Sequence, residues 1–267
     1  SFGNEMKYTF VSGASGGIGK AFCFYYAAQG DNLYITGRSD EKLSALKEKI
    51  IERNPSVTVL YYACDLTKEA ERNGMVSDMK EKGVAINRIC NVAGVDIQKP
   101  FEDYTDEKVL FQIRVNVEAT IDLTHKLLKL RDGETEIITI SSMSGASPMP
   151  YFALYSASKA MLTNFFTSLH YELKDKGVKV TTVLPGGVYT RPDVCEDIKG
   201  QGVWGKLSAK SPEFVARKSA KAVKKNKTTY VPGFFNKFLK GLMKIAPKKI
   251  VLSFIANRWK KQTKDAF

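Results

Sequence analysis

The sequence predicts an α/β fold: a doubly wound, mostly parallel sheet of seven strands with helices on both faces. Three observations carry that expectation. Short apolar runs alternate with helix-period segments of ten or more residues, as βαβ units require. The runs are apolar on both faces, as strands covered by helices on each side must be. The first run also ends in a glycine cluster that opens directly into a helical pattern, KYTFVSGASGGIGKAFCFYYAAQG. Gly13, Gly16, Gly17 and Gly19 crowd into that boundary, an entropic cost that a plain flexible loop does not explain.

Taken in order, YTFVSG is the first strand and KAFCFYYAAQG the helix after it. NLYITG is the second strand. DEKLSALKEKIIERN is an amphipathic helix, with Asp40 near its start and Asn54-Pro55 beyond its end. VTVLYYACD and TKEAERNGMVSDMKEKG form the next strand and helix, and INRICNVAG the fourth strand. A long helical segment is expected from Thr105 to Leu130. TEIITISS is the fifth strand, LYSASKAMLTNFFTSLHYELKDKG a long helix, VKVTTVLPGG the sixth strand and TTYVPG the seventh. No linker, repeat or low-complexity block interrupts the chain before about Thr190, so residues 1–267 read as one domain.

Between strand and helix, the glycines acquire a purpose. Gly13 makes the turn, and the backbone at Ser15 and Gly16 can approach a phosphate with no bulky side chain between. Gly17, Ile18 and Gly19 start the helix close to strand and ligand. The free N–H groups and the dipole of that helix start suit a pyrophosphate. The loop therefore reads as a dinucleotide cradle of the Rossmann type.

Its spacing, Gly-x-x-x-Gly-x-Gly, resembles that of the classical short-chain dehydrogenase/reductase family. Further matches follow in order from Lys7 to Thr190. NVAG, Asn91 to Gly94, resembles the family's Asn-Asn-Ala-Gly, with Val92 departing at the second Asn. VNVEA supplies Asn116, ISSMSG supplies Ser142, and YSASK supplies Tyr155 and Lys159. PGGVYT resembles Pro-Gly-x-x-x-Thr, with Pro185, Gly186 and Thr190. Each is common alone; their order and spacing make the match specific.

Tyr155 and Lys159 lie four apart, hence one turn apart on one helix face. A tyrosine titrates near pH ~10, and a neighbouring cation is expected to lower that value. This suits Tyr155 as the acid that protonates a carbonyl oxygen, or as the base in the reverse direction. The resemblance implies that Lys159 also holds the nicotinamide ribose. It implies that Ser142 hydrogen-bonds the substrate oxygen and that Asn116 helps hold a water linking Lys159 to solvent. Cofactor contacts are likewise implied for Asn91, Ala93, Gly94, Tyr155, Pro185, Gly186, Val188 and Thr190. His125 and His170 lack partners at ligand spacing and read as structural, and no metal site is expected. Ser141 should point away from Ser142, so one of the two is structural. Tyr151 and Phe152 either line a substrate pocket or simply pack.

NAD binders usually carry an acid at the end of the second strand. Here Gly37 occupies that place and Arg38 follows, so NADP(H) is the expected cofactor, its 2′-phosphate paired with Arg38. Ser39 can add a hydroxyl contact. Asp65 resembles the family residue at the adenine ring; its plainer reading is a helix-terminal acid.

The formal charge of +13 favours anionic partners. Cys23, Cys64, Cys90 and Cys195 are far apart and read as small core residues in a reducing compartment. SFGNEMKYTF shows no basic start or long apolar core, so no secretory leader is expected, and no run of about 18 apolar residues is present. A cytoplasmic setting follows, with peripheral membrane contact kept open by the tail. Residues 190–210 read as a substrate lid. From Phe234 onward nine Lys or Arg face one acid, and two apolar stripes are separated by Pro247. Packing on the domain, or on a sister subunit, is the favoured reading of residues 233–267. It buries Phe238, Leu242, Phe254 and Ile255 and leaves Lys240, Lys244, Lys248 and Lys249 on a basic face near the active-site entrance. Docking on an anionic membrane is the second reading. Nucleic acid is not expected as a partner, because no groove-reading motif is present. The expected function is NADPH-dependent reduction of a carbonyl substrate, a 3-oxoacyl thioester or a hydrophobic ketone. The competing class is a non-catalytic nucleotide-binding regulator or membrane-peripheral protein of the same fold; the intact Asn116, Ser142, Tyr155 and Lys159 set speaks against it. Extra apolar positions on the helices at Thr105–Leu130 and Leu154–Lys176 predict a homodimer or homotetramer.

Overall fold

A computed structural model describes residues 6–186, 210–260 and 264–265. Strand β1 (Lys7–Val11) runs into helix α1 (Gly17–Ala28), β2 (Asn32–Gly37) into α2 (Asp40–Arg53), and β3 (Val59–Ala63) into α3 (Glu69–Glu81). After β4 (Ala85–Asn91) and a two-residue β5 (Ile97–Gln98), α4 (Asp106–Ile113) passes through a π turn (Arg114–Ala119) into α5 (Thr120–Leu128). Next come β6 (Arg131–Ile140), α6 (Ala153–Leu173), β7 (Val178–Val183), α7 (Pro212–Lys224), β8 (Thr229–Tyr230), α8 (Phe234–Ile245), α9 (Lys248–Trp259) and β9 (Lys264–Asp265).

The main sheet has the order β3-β2-β1-β4-β6-β7-β8, and every neighbouring pair is parallel. This is the expected seven-stranded, doubly wound α/β sheet. The chain builds outward from β1 to β3, then returns to place β4 on the other side of β1. That reversal opens a crevice at the carboxyl ends of β1 and β4. The glycine loop and the Asn91–Gly94 loop both start there.

Two apolar layers sandwich the sheet. Phe22, Leu33, Leu43, Ile50 and Val215 pack on one side, from α1, α2, α7 and the strands between. Phe10, Met75, Met79, Leu123 and Phe166 pack on the other, with α3, α5 and α6. Buried Arg72 fastens α3 to the π turn and α5. It donates to Asp122 at 2.8 Å, Glu118 at 2.9 Å and the Leu66 carbonyl at 2.6 Å. Helix starts show how selectively the chain caps itself. Ser39 caps α2 by accepting from the Lys42 amide at 3.2 Å, and Asp40 and Glu41 favour that dipole end. Helix α1 starts at Gly16 with no side-chain cap and no acid in its first turn.

Two features lie outside the sequence expectation. Strand β6 begins at Arg131, four residues before TEIITISS, because its polar, exposed first residues carry no apolar signal yet pair with β4. β5 and β9 form a two-residue antiparallel pair, too short to leave a pattern. The long helix expected from Thr105 to Leu130 is present, widened midway by the π turn. Cys23, Cys64 and Cys90 are free and buried. Cys195 and the 190–209 stretch expected to form the lid lie outside the described residues. Among those described, no helix is long and apolar enough to cross a membrane, and no His/Cys/Asp/Glu cluster could hold a metal.

Candidate active site

The crevice continues into one cavity of about 910 Å³, bounded at one end by the glycine loop and at the other by α8 and α9. At the first end, Gly13 has φ +59°, the left-handed region, and a Cβ there would sit 2.9 Å from the Ala93 backbone. A Cβ on Gly19 would collide with the Gly13 carbonyl. Ser12 pins the two loops together: its Oγ accepts from the Val92 and Ala93 amides at 3.0 and 3.1 Å. The uncapped start of α1 therefore presents orphan N–H groups to a wall of bare backbone. Gly13, Ser15, Gly16, Gly17, Ile18 and Gly19 all line it. That is a cradle for an anionic group, and it fits a dinucleotide pyrophosphate.

Arg38 stands exposed at the mouth beyond β2, next to Gly37, and both line the cavity. Asp65 lines it too, and its carboxylate accepts from the Thr67 hydroxyl at 2.7 Å and amide at 3.0 Å. The hydroxyl bond holds the Asp65 carboxyl below its ordinary range, helped by Lys68 and Arg38. Val92, Ala93, Gly94, Pro185 and Gly186 lie along the floor. Two expected contacts do not reach the cavity. Ser39 is engaged as the α2 cap, and Asn91 turns into the protein, donating to Thr124 and Thr139 at 3.1 and 3.2 Å. Val188 and Thr190 lie outside the described residues.

Ser142, Tyr155 and Lys159 converge midway along the cavity. The two serines separate as the strand alternation requires. Ser141 bonds the Lys159 carbonyl at 2.9 Å and Thr163 at 2.7 Å, locking β6 to α6. Ser142 faces the cavity beside Tyr155, its Oγ accepting from the Ser144 amide at 3.0 Å. Lys159 is 4% exposed, with Nζ donating to the Ile140 carbonyl at 3.1 Å and lying 5.6 Å from the Tyr155 ring centre. Burial pulls Lys159 down to about 8, against the opposing pull of Asp96. Burial pushes the Tyr155 phenol above its ordinary value, Asp96 pushes it further, and only Ser142 draws it back. The expectation that Lys159 lowers Tyr155 is thus corrected. The lysine is itself desolvated and held on a backbone carbonyl, so burial outweighs it.

Asn116 sits in the π turn, where the widened helix turns its amide inward. Its side chain clamps Val95, accepting from the amide at 2.7 Å and donating to the carbonyl at 2.8 Å, and also donates to Ser158 at 3.2 Å. Asn116 fixes the strand-end loop over Lys159 rather than lining the cavity. His170 bonds the Val180 carbonyl at 2.7 Å in a structural role, and His125 is exposed.

The other half of the cavity belongs to the tail. α8 and α9 meet at a bend at Ala246-Pro247, as expected. Asn236 anchors α8: its amide donates to Pro232 at 2.9 Å, and a Cβ on Gly186 would strike its side chain at 2.8 Å. Ile255, Val251 and Trp259 pack on Met149, Phe152 and Tyr155. Phe152 stacks on Tyr155 with centroids 4.5 Å apart and on Trp259 at 6.1 Å. Phe152 lines the chamber, while Tyr151, at φ 65°, makes the turn that leads into it. Ile255 is buried as expected. Phe238, Leu242 and Phe254 are 57%, 49% and 61% exposed, which corrects the expectation that all four are buried. The inner face of α9 satisfies the site, and the cavity mouth leaves the outer faces uncovered.

Several residues escaped the sequence reading. Ser12 and Asp96 belong to no period and act through the fold. Gln98 lines the cavity, is 3% exposed, and its Nε2 has no hydrogen-bond partner among the described residues. Leu239, Met243 and Trp259 carried only a helical stripe, which does not say what the stripe faces.

The comparisons agree with this geometry. A short chain dehydrogenase family model matches residues 7–195. An uncharacterized oxidoreductase of Staphylococcus saprophyticus is 30% identical over 79% of this chain and 88% of its own. A very-long-chain 3-oxoacyl-CoA reductase of Pyrenophora tritici-repentis is 32% identical over 68% of this chain and 55% of its own. Among solved structures, a 7beta-hydroxysteroid dehydrogenase superposes with TM-score 0.85 at 24% identity, over 94% of this chain and 96% of its own. An L-sorbose reductase from Gluconobacter frateurii, complexed with NADPH and L-sorbose, gives 0.75 at 22% identity, over 85% and 95%. The sheet order, the cradle and the family match lead to one conclusion: this chain belongs to the short-chain dehydrogenase family of nicotinamide-dependent oxidoreductases.

Proposed function

We propose that this chain is an NADPH-dependent reductase of apolar carbonyl compounds. The observation that carries it is the placement of Ser142, Tyr155 and Lys159 between an anion cradle and an apolar chamber in one continuous cavity. A dinucleotide, when bound, would supply the hydride. Gly13 to Gly19 would hold its pyrophosphate, Arg38 its 2′-phosphate and Asp65 its adenine, while Lys159 would hold the ribose and Pro185 and Gly186 the nicotinamide end. Choice of NADPH is supported by Gly37 in place of an acid, and by the NADPH held by the similar L-sorbose reductase.

Ser142 and Tyr155 bind the carbonyl oxygen together. The phenol is protonated at neutral pH because burial holds its value up, so Tyr155 Oη donates its proton as the oxygen gains charge. Ser142 keeps the hydroxyl aimed, and Lys159 steadies the phenolate that remains. Asn116 serves by positioning, through Val95 and Ser158. The chamber of Phe152, Val251, Ile255 and Trp259 suits an apolar body.

Assembly belongs to the same reading. Leu110 and Ile113 on α4 and Met161 on α6 are 50%, 38% and 50% exposed, which supports a homodimer or homotetramer through these helices. The test of function is NADPH oxidation against small ketones, long-chain 3-oxoacyl thioesters and polycyclic ketones. Turnover of apolar carbonyls is expected; no turnover of any carbonyl would leave the nucleotide-binding, non-catalytic reading.

A further inference from the structure

The tail exposes apolar side chains in an ordered way. Phe238, Leu242 and Ile245 repeat at helical spacing on α8 and are 57%, 49% and 84% exposed. On α9, Ile250 and Phe254, four apart, are 64% and 61% exposed. Leu242, Ile250 and Phe254 also line the cavity. A side chain that is both exposed and cavity-lining stands at the mouth, so the apolar chamber opens through this patch. The charge around the patch has one sign. From Phe234 to Trp259 the chain carries Lys237, Lys240, Lys244, Lys248, Lys249 and Arg258 and no acid. Burial draws Lys240 below its ordinary value, with a smaller contribution from the like charge of Lys244.

We infer that α8 and α9 dock on an anionic lipid surface and that the substrate reaches the chamber through that contact. The apolar outer faces sit at the acyl boundary, and the lysines meet headgroup phosphates. A second copy of this chain fits the patch poorly. A two-fold contact sets the same patch against itself, lysines against lysines with no acid in either helix to answer them. The α4 surface differs: Asp106, Glu107, Lys108 and Arg114 mix both signs around Leu110. Docking stands without turnover; the route of the substrate rests on the proposed reductase reading.

The test is sedimentation of the full chain with phosphatidylcholine vesicles, with and without about 30% phosphatidylglycerol. Binding is expected to the anionic vesicles and to fall as salt shortens the Debye length. Phe238 and Ile245 do not line the cavity. The F238E/I245E variant is expected to lose at least about tenfold in vesicle affinity while reducing a water-soluble ketone within about twofold of the parent. A ketone dissolved in the vesicles should be reduced more slowly by that variant. The K248A/K249A variant, altered only at exposed positions, should weaken binding and its salt dependence. Equal binding to neutral and anionic vesicles, or unchanged binding by both variants, would overturn the inference. So would a drop in oligomeric mass in F238E/I245E, which assigns the patch to a second copy. Failure of the reductase reading would show separately, as intact vesicle binding with no NADPH oxidation.

Discussion

The two ends of the cavity are built on opposite principles. The cradle end is made of backbone. Gly13 and Gly19 are bare because a Cβ would strike Ala93 or the Gly13 carbonyl, and α1 keeps its N–H groups free by lacking a cap. The chamber end is made of side chains, Phe152, Val251, Ile255 and Trp259, interchangeable in kind as long as they are apolar and fill the space. The contrast teaches where specificity resides. A phosphate can be met only by particular residues at particular spacings. An apolar substrate can be met by many.

If that contrast is right, substitutions at the centre and the cradle should cost most and those in the chamber least. Tyr155→Phe removes the transferable proton and keeps the ring on Phe152. Turnover should fall at least about 100-fold with NADPH binding retained, measured by steady-state rates and fluorescence titration. Near-normal turnover would remove Tyr155 from the chemistry.

Arg38→Ala should shift the preference between NADPH and NADH by roughly 10- to 100-fold, the worth of a charged hydrogen bond. Equal weakening of both cofactors would show that Arg38 does not read the phosphate. At the other end, Trp259→Ala should raise KM for an apolar ketone by about tenfold, from lost burial. It should leave a small ketone within about twofold. If both substrates suffer alike, α9 supports the fold rather than the substrate.

The smallest effect is one of pH. Lys159 sits at about 8 in the ligand-free protein because burial opposes its charge. An anionic dinucleotide raises that value on binding. Affinity for NADPH is therefore full below about pH 8 and declines as pH rises through and above it, by at most about tenfold per unit. Titrations from about pH 7 to about pH 9 should show this slope, and Lys159→Met should abolish it.

The same contrast explains what could be read from the chain. The sheet and the sequence of strands and helices were legible from periodicity, whereas Ser142, Tyr155 and Lys159 were legible only through the ordered motifs by which the chain resembles its family, since a Tyr and a Lys four apart are common on any helix. Ser12 and Asp96 were not, since one hydroxyl or carboxylate among many has no period and takes its meaning from the loop it faces. Asn91 shows the converse. It belongs to a recognisable motif, yet its amide turns to Thr124 and Thr139, away from the cavity. In the tail, the two helices and the bend at Pro247 could be read. Which of their faces is covered could not, because α9 is apolar on both its chamber side and its outer side. Phe254 and Ile255 are neighbours in sequence, 61% and 8% exposed.

The most direct measurement is kcat/KM for NADPH oxidation across a homologous series of straight-chain methyl ketones. A chamber that buries the substrate should gain about 0.8 kcal/mol per added methylene, roughly a two- to fourfold rise at each step until the chamber is filled. Tyr155→Phe should lower the whole series without changing its slope. A flat series, with short and long ketones reduced alike, would contradict an apolar-carbonyl reductase.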